Sequence, residues 1–247
     1  MEMNILQILA DTHTHTLAST HAYSTIAENC SAAKQNGVKA IAMTDHTPAM
    51  PDAPHMWHFY NMKAIPRMID GVYVIRGAET NIINFDGEVD LTQEDLKRLE
   101  WVVASFHDPV CPPSSIEENT RAYELLARNP YIDVIGHPDA DPYRCDYERM
   151  VKTLKEYDKL IEINENSIKT RRGARKNSTE IARICKKYGA RVVVNSDAHY
   201  AGKIGIVPEA TKLLEEIDFP KELILNADWD MFKEYIVNKR GNIFSVD

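Results

Sequence analysis

The sequence has few cysteines and no long apolar run. Its four cysteines are widely separated and form no C-x-x-C pair, which argues against a disulfide framework and against a thiolate zinc site. No apolar stretch reaches the roughly 20 residues that a membrane-spanning helix needs, so no membrane partner is expected. The N-terminal residues carry no cluster of positive charge, so we expect no secretory signal. These absences predict a cytoplasmic protein with reduced thiols.

Positive charge is also in deficit. The 247 residues include 29 Lys and Arg against 37 Asp and Glu, a net charge of −8. Such a chain has no general basic surface for nucleic acid or anionic lipid, so any attraction for an anionic substrate must be local. The G-x-S-x-G serine elbow and the Walker A loop are missing as well, which removes two common catalytic designs.

Short β-branched runs alternate with segments of helical length, which predicts βα units and a parallel sheet. Seven strands are expected at residues 5–9, 40–43, 73–78, 101–105, 134–136, 160–164 and 191–195. Helices are expected at 25–36, 116–129, 146–157, 179–188, 208–216 and 230–238. No linker or fixed repeat divides the chain, so residues 1–247 are expected to form one domain. Periodicity alone is compatible both with an open doubly wound sheet and with a distorted barrel.

Histidines and acids fall at the ends of six of these strands. The residues concerned are His13, His15, His46, Glu79, His107, His137, Asp197 and His199. In a parallel α/β fold the C-terminal ends of the strands lie on one face, where such folds place their sites. Alternate residues of an extended segment point to the same side, so His13 and His15 can address one centre. We therefore expect these distant residues to converge on one pocket.

These side chains are typical metal ligands. Imidazole and carboxylate without thiolate suit Zn, Mn or Fe, and His21 in the first βα loop brings the candidates to nine. A catalytic zinc keeps about three protein ligands and an open position, so nine ligands predict three divalent ions. One histidine at a strand end is usually an ordinary hydrogen-bonded residue, but seven independent accidents are not credible. His21 is the weakest candidate, because it could instead cap the helix near Thr25.

The charge of such a cluster indicates the substrate. Three divalent ions and two carboxylates leave about +4 in a pocket of an acidic protein, which selects phosphate. A metal lowers the pKa of bound water towards ~7, and paired metals stabilise the attacking and leaving oxygens of an in-line displacement. We therefore expect hydrolysis of a small phosphomonoester by metal-activated hydroxide, with no side-chain nucleophile.

The ordered series of these motifs resembles a known family. His13-x-His15, Thr44-Asp45-His46, Glu79, His107, His137 and Asp197-x-His199 resemble, over nearly the whole chain, the motifs of the PHP (polymerase and histidinol phosphatase) domain family. Segments 18–24 and 52–59 look like those of its YcdX-type phosphatases. The resemblance implies a distorted (β/α)7 barrel, TIM-barrel-like, with three metals, usually zinc, and phosphoester hydrolysis.

The resemblance also implies how the ligands divide. One group is His13, His15 and Asp197 with a bridging Glu79; a second is His107 and His137 sharing Glu79; a third is His21, His46 and His199. Because similar domains are attached to DNA polymerases, a phosphodiesterase or 3′–5′ exonuclease stays an alternative, against which the acidic charge weighs. A non-catalytic metal-binding module is the other alternative, and a homo-oligomer is left open.

Several further positions are predicted to act near the cluster. His55 and His58 follow the second strand and could protonate a leaving group or only fix a lid by packing. Asp45 and Asp11 abut ligands and are expected to orient a metal-bound imidazole.

A basic segment follows the sixth strand. It contains Arg171 and Arg172, which we predict to bind the substrate's phosphate or a second anionic group; a solvated charged loop is the alternative. On the sixth strand itself, one of Glu162, Asn164 and Asn166 is expected to support a ligand, and the sequence does not decide which.

Overall fold

Seven parallel strands follow one another around the molecule in chain order. The computed structural model describes residues 6–245. Its strands are β1 (Ala10–Thr14), β2 (Ala40–Met43), β3 (Met68–Ile69), β4 (Val72–Asn81), β5 (Trp101–Ser105), β6 (Val134–Ile135), β7 (Leu160–Asn164) and β8 (Val192–Asn195). The parallel order is β1-β2-β4-β5-β6-β7-β8, and the short β3 pairs antiparallel with β4. The distorted (β/α)7 barrel predicted from the sequence is confirmed.

Helices connect these strands. Within residues 6–245 they are α1 (Ile26–Gln35), α2 (Trp57–Tyr60), α3 (Gln93–Leu96), α4 (Ile116–Leu126), α5 (Tyr147–Glu156), α6 (Glu165–Thr170), α7 (Ala174–Tyr188), α8 (Pro208–Glu216) and α9 (Trp229–Arg240). A capping box between Thr25 and Glu28 starts α1, and Gly189 ends α7 in the left-handed conformation. The sequence missed α2, α3 and α6, which are too short to show an apolar period, and placed the start of α7 five residues too late.

The first strand lies further along the chain than the sequence predicted. Strand 5–9 was expected, of which residue 5 lies outside the described part, but β1 is Ala10–Thr14. The apolar run contributes Ile8 to the core instead. All five residues of β1 are buried although three are polar or charged by type and one is histidine, a pattern that does not read as an apolar strand. His13 therefore lies on β1 itself. The third predicted strand likewise extends to Asn81, which places Glu79 within β4.

One side chain joins the two ends of the sheet. Thr14 and Ala198 form a bridge beyond β1 and β8. Below it, the buried Asn226 Nδ2 donates to Ala10 O at 2.8 Å and to Val194 O at 2.6 Å, and its Oδ1 accepts from Val194 N at 3.0 Å. Asn226 thus takes the place of a strand-to-strand ladder and nearly closes the barrel.

The barrel interior changes from apolar to polar along its strands. Leu160 and Val193 belong to a buried cluster that includes Phe232 of α9. Two residues further along the same strands, and so on the same side of each, are Glu162 and Asn195. One end of the barrel is therefore filled by α9, and the C-terminal ends of the strands are left for polar chemistry. In the part of the chain that the structure describes, no helix has the length and apolar composition to cross a membrane.

Candidate metal centre

The nine predicted ligands come together at the C-terminal ends of the strands. The ring centroids of His15 and His199 are 4.2 Å apart, and those of His15 and His46 are 4.6 Å apart. The other close pairs are His21 with His199 at 4.4 Å, His46 with His107 at 5.0 Å, His13 with His15 at 5.2 Å and His107 with His137 at 5.3 Å. Asp197 Oδ1 lies 3.3 Å from His15 Nε2. Residues far apart in sequence thus form one cluster.

Glu79 lies in the middle of this cluster. Its Oε2 is 2.9 Å from His46 Nδ1 and 3.3 Å from His13 Nε2. Its Oε1 is 3.0 Å from His137 Nε2 and 3.3 Å from His107 Nε2. Burial alone would raise the pKa of Glu79, but the neighbouring His13 and His107 hold it well below its usual value. The two oxygens of one anionic carboxylate therefore face different imidazoles, which is the arrangement of a bridging ligand.

Unpartnered nitrogens show that these residues fit metal ions. Among the described residues, His13 Nε2, His15 Nε2, His107 Nε2 and His199 Nε2 are buried without a hydrogen-bond partner, as is His46 Nδ1. Buried polar atoms are seldom left unpaired. Metal ions bound among these nitrogens would accept their lone pairs. The donor set of imidazole and carboxylate suits zinc, manganese or iron.

The candidate ligands include three groups, and within each group the ligand atoms lie within 4.8 Å of one another. The groups are His13, His15 and Asp197; His15, His46 and His199; and His46, Glu79 and His107. The first contains the trio that the family resemblance implies. His21 and His137 are outside these groups, although His21 stacks near His199 and His137 contacts Glu79. The groups share members, so they describe one cluster rather than separate sites.

The far side of several imidazole rings is fixed by a hydrogen bond. His13 Nδ1 donates to Glu162 Oε1 at 2.8 Å, and His107 Nδ1 donates to Asn81 Oδ1 at 2.7 Å. His199 Nδ1 contacts Asp197 O at 3.0 Å, and His21 Nδ1 contacts Asp52 Oδ2. A proton held on Nδ1 leaves the Nε2 lone pair free for a metal. These contacts therefore orient the rings towards the centre.

Glu162 has the most extensive of these supporting roles. Its Oε1 also accepts from Asn195 Nδ2 at 2.8 Å, and its Oε2 accepts from His137 N at 2.7 Å and from Asn164 Nδ2 at 3.0 Å. Burial alone would raise the pKa of Glu162, but His13 beside it lowers the pKa. Of the three candidates on the sixth predicted strand, Glu162 contacts a ligand ring, whereas Asn164 Nδ2 and Asn166 Nδ2 contact the carboxylate of Asp197 at 3.2 Å and 3.5 Å.

Sequence reasoning assigned no role to three residues that contact ligand rings, and one of them is Ser19, whose Oγ lies 3.4 Å from His15 Nδ1. Asn81 lies two positions beyond Glu79 on β4, so strand alternation places both on the same side and could have indicated it. Asp52 belongs to the loop after β2 and reaches His21 across 31 positions of sequence. Nothing local marks it.

Two site residues adopt left-handed backbone conformations. His137 has a φ of 27° and Asp197 a φ of 51°, which are uncommon for residues with a side chain. The hydrogen bond from His137 N to Glu162 and the contact between Asn164 Nδ2 and Asp197 Oδ2 at 3.2 Å hold both turns. Such strain persists where surrounding contacts maintain it, commonly at functional sites.

The two aspartates beside the ligands support loops. Asp11 accepts from Ser196 N at 3.1 Å and Gly205 N at 2.8 Å rather than from an imidazole, so the expectation that it orients a ligand ring is wrong; burial raises its pKa to about 6. Asp45 accepts from Thr16 N at 2.8 Å and Ser19 Oγ at 2.9 Å. It therefore holds the loop between His15 and His21.

Asp45 also contacts one of the two predicted catalytic histidines. His58 Nε2 lies 3.3 Å from Asp45 Oδ2. Burial would raise the pKa of Asp45, but the neighbouring His58 and the charge of His15 lower it, so Asp45 is an anion. His55 is exposed, and its Nδ1 accepts from Trp57 N at 3.2 Å. His58 therefore has a buried carboxylate as its neighbour, whereas the exposed His55 contacts only a backbone N–H.

The two predicted arginines also differ. Arg171 is half-buried and Arg172 is exposed. Burial lowers the pKa of His137 to about 4, and the nearby charge of Arg171 contributes to this shift. Neither side chain forms a salt bridge or a hydrogen bond with another described residue. Only Arg171 therefore brings an unneutralised positive charge close to the cluster.

Comparison with known proteins agrees with this geometry. The model of the PHP domain family matches residues 11–217. A "Probable phosphatase" of Acetivibrio thermocellus is 44% identical over 96% of this chain and 99% of its own length. A "Probable phosphatase" of Caldicellulosiruptor saccharolyticus is 46% identical over 92% of this chain and 95% of its own.

Solved structures share the fold. The crystal structure of histidinol phosphate phosphatase from Lactococcus lactis, complexed with zinc, L-histidinol and phosphate, superposes with a TM-score of 0.60 at 16% identity, covering 85% of this chain and 94% of that one. A histidinol phosphatase from Listeria monocytogenes gives 0.55 at 14% identity, covering 80% and 97%. At these identities the likeness concerns the barrel alone.

The role of Glu162 can be tested with Glu162→Gln. All four contacts of the carboxylate come from N–H donors, so an amide would direct its own N–H groups at two of them. We expect the free energy of unfolding without metal to fall by about 2 kcal/mol and zinc affinity to fall about 10- to 100-fold, as for other contacts behind a metal ligand. Urea unfolding and zinc titration measure the two effects.

The matched control is Glu156→Gln, an exposed glutamate at the end of α5. It should leave both quantities unchanged. If the Glu162→Gln protein matched this control in stability and zinc affinity, Glu162 would have no role in positioning the candidate ligands.

Proposed function

The chain belongs to the PHP domain family, and we propose that it hydrolyses a small phosphomonoester at a centre of three divalent metal ions, most simply zinc. It is a metal-dependent phosphatase, a hydrolase acting on phosphoric esters, and relatives that align with it along nearly their whole length carry the name "Probable phosphatase". The observation that carries the proposal is the anionic Glu79 surrounded by imidazoles, several of which point unpartnered nitrogens inwards.

We propose that three ligand groups hold the ions. They are His13, His15 and Asp197; His107 and His137; and His21, His46 and His199, with Glu79 shared by the first two. Support comes from the closeness of the first trio and from the contacts of both Glu79 oxygens. Bound divalent ions would lower the pKa of a coordinated water and stabilise charge on the phosphate oxygens. The chain itself supplies the orientation of the rings.

Arg171 is proposed to bind the phosphate group. Its guanidinium has no acidic partner among the described residues and acts electrostatically on His137 and on Asp139. In a chain of net charge −8, such a free cation at the cluster favours an anionic ligand, and guanidinium donors match phosphate oxygens. The exposed Arg172 lacks these features.

His58 is proposed to donate a proton to the leaving alcohol. Its ring is 24% exposed and its Nε2 lies 3.3 Å from Oδ2 of the anionic Asp45, an arrangement that orients an imidazole. A general acid contributes most when the leaving group is a strongly basic alkoxide. His55, predicted alongside it, has no carboxylate partner in the described structure.

The phosphatase function is tested with purified protein loaded with zinc or manganese. We expect about three metal equivalents, release of phosphate from 4-nitrophenyl phosphate and from small alkyl phosphates, loss of activity with a chelator and recovery on adding metal. Metal-replete protein that leaves a broad panel of phosphomonoesters intact would contradict the proposal. Degradation of single-stranded DNA without monoester hydrolysis would instead favour the exonuclease alternative.

The role of His58 is tested with His58→Gln and two esters. Because 4-nitrophenolate leaves without a proton, we expect kcat to fall about 100-fold for butyl phosphate and less than about threefold for 4-nitrophenyl phosphate. His55→Gln is the matched control and should affect the two esters equally. An equal loss for both esters in His58→Gln would rule out proton donation by this residue.

The two arginines form a second matched pair. Arg171→Ala should raise KM for phosphomonoesters about tenfold or more, because a charge-assisted hydrogen bond to phosphate is lost, while Arg172→Ala should stay within about twofold. Steady-state kinetics on one ester measures both. Equal effects of the two substitutions would show that the half-buried position of Arg171 has no special role.

A further inference from the structure

Solvent reaches the candidate ligands at one side of the cluster. The side chain of His21 is 49% exposed and that of His199 is 22% exposed. The other seven ligands are at most 8% exposed. The His21 and His199 rings lie 4.4 Å apart. A phosphoester must therefore approach the cluster past these two imidazoles, and its alcohol portion must remain near them.

Three exposed apolar side chains belong to the chain segments that carry these two imidazoles. Leu17, Tyr23 and Tyr200, which we call the apolar rim, are 54%, 72% and 59% exposed. Their neighbours in sequence are the candidate ligands: Tyr23 is two residues after His21, and Tyr200 directly follows His199. Single exposed apolar side chains are common, but apolar side chains grouped beside a polar site can indicate binding.

Backbone hydrogen bonds hold the rim together. Tyr23 N donates to His199 O at 2.8 Å, and Leu17 N donates to Ser24 O at 2.9 Å. Ala201 N donates to Ser24 Oγ at 2.9 Å. The loop after β1 and the segment after β8 are thus joined, so the three rim residues start from one connected stretch of backbone.

The ring of Tyr200 is also positioned by a contact with the backbone of a nearby glycine. A Cβ atom placed on Gly202 would lie 2.8 Å from Tyr200 Cε1, so the ring packs directly against the backbone at Gly202. At 59% exposure the rest of the ring remains open to solvent. A positioned aromatic surface of this kind loses little conformational freedom when a second ring stacks on it.

The segments that carry the rim contain little charge. Between Thr16 and Ser24, and from Tyr200 to Gly202, there is no Lys, Arg, Asp or Glu, and the first cation after Tyr200 is the exposed Lys203. The carboxylate of Asp52 contacts the His21 ring. The three rim side chains themselves therefore offer an apolar surface without an ammonium or guanidinium group.

We propose that the apolar rim binds an aromatic ring carried by the alcohol of the substrate, so that phosphomonoesters of aromatic alcohols are preferred over aliphatic ones. The proposal rests on the phosphatase function above and adds the chemical class of the leaving alcohol. Leu17, Tyr23 and Tyr200 are specificity-determining residues in this account, and they take no part in bond breaking.

The test compares phenethyl phosphate with butyl phosphate, whose leaving alcohols are similarly basic, in metal-loaded protein. We expect kcat/KM to be about tenfold higher for phenethyl phosphate, equivalent to about 1.4 kcal/mol. The double substitution Tyr23→Ala and Tyr200→Ala should reduce this preference to about twofold or less while leaving butyl phosphate hydrolysis within about twofold. Tyr157→Ala, an exposed tyrosine after α5, should leave the preference intact.

Binding separates this proposal from the phosphatase function. Phenethylphosphonate and butylphosphonate have a phosphorus–carbon bond in place of the ester bond, so they bind without being hydrolysed. Calorimetry should show that phenethylphosphonate binds about tenfold more tightly than butylphosphonate, and that the double variant loses this difference. Selective binding without turnover of any ester would uphold the rim and refute the phosphatase function. Equal binding of the two phosphonates, or a double variant that loses affinity for both equally, would overturn the rim proposal. So would a double variant that only converts an oligomer to a monomer without changing selectivity.

Discussion

A carboxylate buried among imidazoles is the constraint on which this structure depends. Glu79 is anionic and almost completely inaccessible, and an uncompensated buried charge is strongly unfavourable. Not every neighbouring imidazole can supply positive charge, since burial lowers the pKa of His15 to about 3 and that of His137 to about 4. Neutral imidazoles are the form that ligates metals. Bound metal cations would resolve this conflict, because they would neutralise Glu79 and Asp197 and use the neutral rings at the same time.

The barrel provides the rigidity that such a cluster requires. Glu162 connects the ring of His13 on β1 with the backbone of His137 after β6, and Asn195 on β8 bonds both Glu162 and Thr12. Asn226 bonds β1 and β8 directly beneath. Ligands from opposite sides of the barrel are thus held by one continuous buried network, in which each acceptor is anionic or an amide oxygen.

The mouth of the barrel is chemically asymmetric. A free guanidinium, Arg171, lies by His137, whereas Leu17, Tyr23 and Tyr200 lie by His21 and His199. The anionic and organic parts of a phosphomonoester differ in the same way. Under the proposals above, this asymmetry would orient the substrate with few contacts, because the charged group would be attracted inwards and the apolar group would be retained at the rim.

The sequence by itself determined the alternation of strands and helices and the set of residues that meet at one end of the strands, because both depend on local pattern: short apolar runs alternate with segments of helical length, and histidines or acids recur at the strand ends. The same pattern did not distinguish an open sheet from a barrel, and the barrel was expected only from the resemblance of the motifs to a known family. The pattern failed at β1, whose buried residues are mostly polar and are stabilised by partners as distant as Asn195, 183 positions away. Only the tertiary structure decided that Glu162 supports His13, that Asp11 holds a loop, that Asp45 contacts His58 and that Arg171 rather than Arg172 lies near the cluster. Each of these choices depends on which side chain is adjacent in space after the barrel closes, and no short-range pattern encodes that adjacency. The apolar rim is the same kind of result, since Tyr23 and Tyr200 become neighbours only through the hydrogen bond between Tyr23 N and His199 O.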